Sequence, residues 1–482
     1  MYCVECGESL NEGAKFCFKC GCKQPEKEIV VEDIIKPRCT SCDTDLQTGW
    51  ILCPSCGTKI KDASSAPFPR KKETLIKELH ILAGEEKKYY GNEITISSNI
   101  TCEGSLVFDH CILIYDGDDI TNKIILEGDG SITFTYCTII GDNYNIPSGY
   151  SDAYLIEGDG KGVFINNSVF YDCRYFIKAF VHIEIKNCEF LFDGYTCNLF
   201  AITSPLNITN KSKMQNCTVE NIGNTPDEEP SGCVFEGIMI ISSCAFQNIQ
   251  RCIHGKWYPF QKNELDISTS IFVNCQKSIL PDSNLPINIT YCRFEECEYI
   301  VGSSLAGKLT LKNTQFIECK NQIFDSFTEA EVDKCQVYNH TAVNAYVFQF
   351  VNMGDTGSKI ISNCLFDGMH FESIFSLVDC TNFGGTPYIV TLKKCTFKHC
   401  SSRNEIIKTT DIQGVQISKM YDCTGIDTVN KQGSKAIDTV ILWETPAGEK
   451  IGADVDGLIA GVPGIDPGDY QIFNEEEDTS VH

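Results

Sequence analysis

Nowhere in the 482 residues do 18 apolar residues run consecutively, and the opening MYCVECGESL holds neither a basic stretch nor an apolar core. No membrane span and no secretory leader are therefore expected, which makes the expected location cytoplasmic. Basic charge is also scarce, with 40 Lys and Arg against 65 Asp and Glu and a formal net charge of −25. The deficit lies beyond residue 72: residues 1–72 carry 11 basic and 10 acidic side chains, leaving 29 against 55 in the rest. Such a body repels a phosphate backbone, so extended nucleic-acid binding by it is not expected. What the chain has in excess is cysteine, 29 residues. In a reducing compartment cysteines serve as metal ligands or buried thiols more often than as disulfides.

The first 60 residues contain one spacing twice. Cys3-x2-Cys6 and Cys17-x2-Cys20 are separated by ten residues, as are Cys39-x2-Cys42 and Cys53-x2-Cys56. Two thiolates on a tight turn, with a second such pair, complete the tetrahedron that Zn2+ accepts. Gly7, Gly21 and Gly57 follow three of the pairs, where a knuckle turn needs positive φ; Asp43 takes that place after Cys42. The segments VECGES, CFKCG and CPSCGTKI resemble the double zinc-ribbon family. That resemblance implies two structural Zn2+ ions, one held by Cys3, Cys6, Cys17 and Cys20 and one by Cys39, Cys42, Cys53 and Cys56. Four thiolates close each coordination sphere and leave no position for a substrate water. The expected boundaries are 1–24 for the first ribbon and 37–60 for the second, with a Pro-containing linker at 61–74. Leu75, Ile76, Leu79 and Leu82 fall at helical spacing between Thr74 and Gly84, which predicts a helical cap over 75–91.

Beyond residue 91 the sequence repeats. A small residue, followed two positions later by an aromatic or aliphatic one, recurs at Cys111, Cys137, Ser168, Cys188, Cys217, Cys244, Ser270, Cys292, Thr314, Cys335, Cys364, Cys395 and Cys423, at intervals of 20 to 31 residues. Apolar residues recur three and five positions before the anchor, as Ile183 and Ile185 do before Cys188. Two short period-two strands thus meet at a bend, and Asn occupies that bend at 167, 187, 216, 313 and 363. Asn tolerates the left-handed conformation such a bend requires. One repeat cannot bury its own inward face, so the pattern predicts coils stacked into a solenoid. The LxxLxLxxN ladder of leucine-rich repeats, the 3.6 periodicity of helical repeats and a strict hexapeptide step are all missing.

The CEF, CRF, CLF and CTF triplets resemble the right-handed parallel β-helix of pectin-lyase-like proteins. The fold class expected is all-β: tandem zinc ribbons followed by a right-handed parallel β-helix solenoid of about 13 coils over 92–430, roughly 60 Å long at about 4.8 Å per coil. A C-terminal cap and acidic tail are expected over 431–482. The anchors should stack as a column of thiols, with a second column at Cys173, Cys275, Cys297, Cys319 and Cys400.

Chemistry is harder to place. Resemblance to polygalacturonases would require acidic and Gly-His-Gly clusters in consecutive coils; Asp118-Asp119 and His254-Gly255 are all that remains of them. Glu127-Gly-Asp129-Gly and Glu157-Gly-Asp159-Gly lie 30 residues apart and are expected to stack on one edge, either around a cation such as Ca2+ or as solvated turns. The stretch from Arg251 through His254, Lys256, Trp257 and Tyr258 reads as a basic and aromatic loop, either a contact site or a cover for one coil. The function expected is a non-enzymatic binding scaffold with a protein partner. The alternative is a carbohydrate-active lyase or hydrolase acting on polysaccharide.

Overall fold

The computed structural model divides the chain into two units, Met1–Thr48 and Gly49–His482. It describes residues 72–437 except for 77–78, 97, 116–122, 142–154, 172, 174–175, 180, 193–199, 204–210, 221–232, 237, 257–262, 283–284, 303–306, 343–346, 353–358, 372–377, 383–388, 403–406, 412–416, 422–423, 427 and 431–434. The described part is an all-β parallel solenoid, a β-helix in which each coil contributes one strand to each of three sheets. Sheet 1 has 15 strands, beginning with Lys72–Ile76; sheets 2 and 3 have 14 each, beginning with Leu79–Ile81 and Glu86–Tyr90. Every pairing within the three sheets is parallel and joins one coil to the next, as Ile139 pairs with Leu113 on one side and Phe170 on the other.

The expected helix over 75–91 is three strands instead. Lys72–Ile76 pairs with Asn92–Ile96 and Leu79–Ile81 with Ile100–Cys102, so the stack starts one coil earlier than the expected boundary at 92 and the linker ends before Lys72. Two strands of three to five residues separated by a short bend repeat their inward positions at intervals of three to five, and that mimics a helical period. Ile76 and Ile81 are buried while Leu75 and Leu82 are exposed, a division no single helical face would give. At the other end, Lys435–Ile437 turns back antiparallel onto Thr428–Asn430. The rest of the expected cap and acidic tail lies outside the described residues.

The corner between sheets 3 and 1 explains the anchors. The residue before each of twelve anchors, from His110 to Lys394, has φ between 48° and 55°. A left-handed residue turns the chain sharply but costs about 1–2 kcal/mol when it is not glycine. Hydrogen bonding offsets that cost. Cys188 Sγ donates to Lys186 O at 3.1 Å and Ser168 Oγ to Asn166 O at 2.8 Å, each bridging the turn from the anchor to the carbonyl two residues back. Thr314 Oγ1 does the same to Lys312 O at 3.0 Å. Cysteine, serine and threonine are interchangeable here because each is small and carries one donor. Outside the corner, Asn187 Nδ2 donates to Asn167 Oδ1 and Asn216 Nδ2 to Asn187 Oδ1, both at 3.1 Å.

Two positions after the anchor the side chain points inward and stacks on its equivalents. Phe246, Phe272, Phe294 and Phe316 form one file, with centroid separations of 4.9, 4.6 and 5.4 Å and planes within 10° of parallel. The coil rise sets this spacing, which falls within the range of favourable offset stacking. Five positions after the anchor comes the second corner, where Cys173, Cys275, Cys297, Cys319 and Cys400 are buried as expected. Ile249, His340 and Met369 occupy the same column. Seventeen cysteines among the described residues are buried thiols. Burial pushes the Cys292 thiol up to about 12 and raises those of Cys217 and Cys244 well above the ordinary thiol value, so these three stay protonated and unreactive.

Candidate functional site

The eight expected zinc ligands, Cys3, Cys6, Cys17, Cys20, Cys39, Cys42, Cys53 and Cys56, lie outside the described residues, as do Trp257, Tyr258, Asp118 and Asp119. The remaining candidates fall within the β-helix. The basic loop expected to start at Arg251 is a strand through its first half: Arg251–Lys256 sits in sheet 2 between Cys233–Glu236 and Lys277–Pro281. Gly255 does not open a loop; it makes room, because a Cβ there would collide with the Leu285 side chain. His254 Nε2 lies 3.1 Å from Asp282 Oδ1 on the outer face of that sheet.

The two Glu-Gly-Asp-Gly segments do not stack in phase. Gly158 pairs with Leu126, and Asp159 N donates to Leu126 O, so Glu157 lies level with Ile125 and Asp159 follows where Glu127 does. Glu157 Oε1 is 2.8 Å from Lys123 Nζ. No group of three or more His, Cys, Asp or Glu able to hold a metal forms among the described residues, and the calcium expectation has no support there. The glycines have a packing reason: Gly158 has φ 118°, and a Cβ on it would strike the Leu126 carbonyl of the coil before.

The outer faces of sheets 1 and 3 differ in kind. Sheet 3 carries charge pairs. Lys88 pairs with Asp109 at 3.1 Å, Lys186 with Glu184 at 3.0 Å, and Lys312 with Glu331 at 2.7 Å. The Lys186 ammonium holds the Glu184 carboxyl below the usual range, and the Glu329 carboxylate holds Lys308 above its own. Sheet 1 begins apolar. Three positions after the anchor, one outward row runs Leu75, Thr95, Ile114, Ile140, Tyr171, Leu191, and then becomes Glu220 and Gln247. The row beside it runs Glu93, Ile112, Thr138, Val169, Glu189. At the adjoining corner the rings of Tyr90, His110 and Tyr136 lie against one another, tilted, with centroids 5.4 and 4.8 Å apart. Five of the seven exposed large apolar side chains among the described residues, Leu75, Tyr90, Tyr136, Ile140 and Tyr171, belong to this face and its corner. That concentration marks it as a surface feature rather than scattered exposure.

The fold of the described residues defines the class, a parallel β-helix. Residues 3–57 match the double zinc ribbon family. No curated protein matches the chain. Among solved structures, tailspike protein 3 of bacteriophage CBA120 is similar at 9% identity, over 72% of this chain and 56% of that one, with a TM-score of 0.32. The chain thus spans little more than half the length of that tailspike.

Proposed function

We propose that the protein is an intracellular, non-enzymatic binding scaffold in which the zinc ribbons engage a protein partner and the β-helix holds a second contact on its flank. The observation that carries this reading is the gathering of exposed apolar side chains on sheet 1, beside a sheet 3 that carries lysine–carboxylate pairs. A continuous parallel stack keeps such a face rigid, so that contact there does not require the ordering of loops. Four-thiolate ribbons suit the same role, since a closed zinc sphere stabilises a small module without offering a reactive position.

The test is capture of a partner by the full chain, repeated with Cys17→Ser and Cys53→Ser and after zinc chelation. Loss of capture on disrupting the ribbons is expected. Release of new reducing ends or unsaturated products from polysaccharides by the purified chain would replace this reading with the carbohydrate-active one.

A further inference from the structure

We propose that Cys111 and Cys137 are a reversible redox site, at which hydrogen peroxide oxidises Cys111 to a sulfenic acid and Cys137 closes it to a disulfide between neighbouring coils. Neither the ribbons nor the apolar face takes part, so the site stands apart from the scaffold reading.

The pairing follows from the anchor column. Ser168, Ser270 and Thr314 interrupt its thiols, and the first run they leave is Cys111 and Cys137 alone. The two are one coil apart. Thr138 N donates to Cys111 O at 2.9 Å, and the strands that follow them, Ile112–Tyr115 and Thr138–Gly141, pair in parallel. A coil rise of about 4.8 Å lies within the Cα separation of about 4.4–6.8 Å that a disulfide spans. On the far side of Cys137 stands Ser168, whose Oγ accepts from Cys137 N at 3.0 Å and can form no sulfur bridge. On the far side of Cys111 the register places Asn92. Within the column each thiol therefore has the other as its single sulfur neighbour.

The two sulfurs are unlike. A hydrogen bond from the Cys137 thiol, with backbone bonds from Asn92, Asp109 and Gly91, holds the Cys111 thiol below the ordinary range, against the effect of burial. Burial pushes Cys137 well above that range. Cys111 is thus the nucleophile and Cys137 the partner that keeps its proton. Access has a geometric route. Both thiols are buried, but the Cys111 sulfur lies 3.4 Å from Tyr89 O, in the strand Glu86–Tyr90. That strand is the first of sheet 3 and pairs, among the described residues, with Ser105–Asp109 alone. A strand held along one edge opens at less cost than one held along two, and hydrogen peroxide is little larger than water.

The Cys111 thiolate attacks one peroxide oxygen, the O–O bond breaks, and the leaving hydroxide takes up the proton that Cys111 released, giving water. The Cys137 sulfur then attacks the Cys111 sulfur; the S–O bond breaks, and hydroxide leaves with the Cys137 proton as a second water. Two thiols are oxidised and one peroxide is reduced. The bridge removes the thiol donors that Cys111 and Cys137 present to Asp109 O and Thr135 O, both at 3.4 Å. With them goes the support of the left-handed His110 and Tyr136. A disulfide formed at such a cost to its surroundings is readily reduced, which makes the site reversible.

The experiment treats the full chain with hydrogen peroxide, blocks the remaining thiols with N-ethylmaleimide under denaturing conditions, and maps linked peptides by mass spectrometry. Expected is a Cys111–Cys137 link that forms at pH 7 at least about tenfold faster than Cys217 or Cys244 is oxidised, and that dithiothreitol reverses. Cys137→Ser should stop at the Cys111 sulfenic acid, trapped by dimedone, and Cys111→Ser should leave Cys137 reduced. Serine keeps the corner donor, as Ser168 does at 2.8 Å, and the thermal midpoint checks each variant. Cys111 that resists peroxide until the rod unfolds, oxidation of Cys217 and Cys244 at the same rate, or a link from Cys111 to any other cysteine overturns the proposal. So does passage of Cys111 to the sulfinic acid without a link, or a link that dithiothreitol leaves intact. Should either serine variant fail to fold, the map of the parent chain decides between these outcomes by itself.

Discussion

The rings of Phe272 and Phe294 lie 4.6 Å apart and 8° from parallel, one coil above the other in a file that continues through Phe316. Each ring is held between two others, and all are fully buried. Phe294→Ala should therefore cost about 3–5 kcal/mol, because the neighbouring rings are tied to their own coils and cannot close the gap. Phe294→Leu should cost distinctly less. Chemical unfolding of the two variants against the parent measures the difference.

The anchor column makes a different prediction. Ser168 and Ser270 occupy the place that Cys217 fills, and each keeps the hydrogen bond to the carbonyl two residues back. Cys217→Ser should cost less than about 1 kcal/mol, whereas Cys217→Leu, which overfills the corner and removes the donor, should cost about 1–3 kcal/mol. A Ser variant as damaging as the Leu variant would show that the thiol is needed for something beyond closing the turn.

His340 supplies a pH dependence. It is fully buried in the second corner column, its Nε2–H donates to Asn321 O at 2.8 Å, and Nδ1 has no hydrogen-bond partner. Burial lowers its pKa from 6.5 to about 4. The unfolded chain thus takes up a proton that the folded chain refuses. Stability is fully present above pH 6.5 and is lost as the pH falls toward 4, by about 2 kcal/mol between pH 7 and pH 5. His340→Met, which copies Met369 of the same column, should flatten the stability curve in that window whatever it does to stability at neutral pH. Urea midpoints at intervals from pH 7.5 to 4.5 measure it.

For the ribbons, the two sets of four cysteines predict two zinc ions per chain, with one lost in Cys17→Ser or Cys53→Ser. Native mass spectrometry of metal-replete protein counts them. A mass with no zinc would remove the ribbon assignment, and with it the metal-dependent half of the scaffold reading.

The corner is legible in the sequence where it uses asparagine and hidden where it does not. Asn167, Asn187, Asn216, Asn313 and Asn363 announce a left-handed residue, but Tyr136, Thr269 and Lys394 adopt the same conformation with no such propensity. What identifies them is the small donor that follows, since the anchor bond stabilises the turn regardless of the residue before it. The first coil reads as a helix because Leu75, Ile76, Leu79 and Leu82 satisfy a helical period by accident of short strands. Arg251 to Lys256 reads as a loop because polar residues on the outer face of a strand dominate when the inward partners, Cys252 and Ile253, are few. The apolar rows of sheet 1 are hidden for a different reason. Ile114, Ile140, Tyr171 and Leu191 are far apart in sequence, and only stacking makes them one surface.

The corner between sheets 3 and 1 keeps a single left-handed residue before the anchor in coil after coil, so variation in coil length is taken up elsewhere. Ser270, Cys292 and Thr314 are separated by 22 residues each. Loss or duplication of a segment cut at two such corners would rejoin like to like and leave every inward column in phase. One extra residue at the corner would instead turn the following strand over and expose its core side. The rod can thus be lengthened or shortened in whole coils by recombination within its own gene, and its working span is open to inheritance in discrete steps.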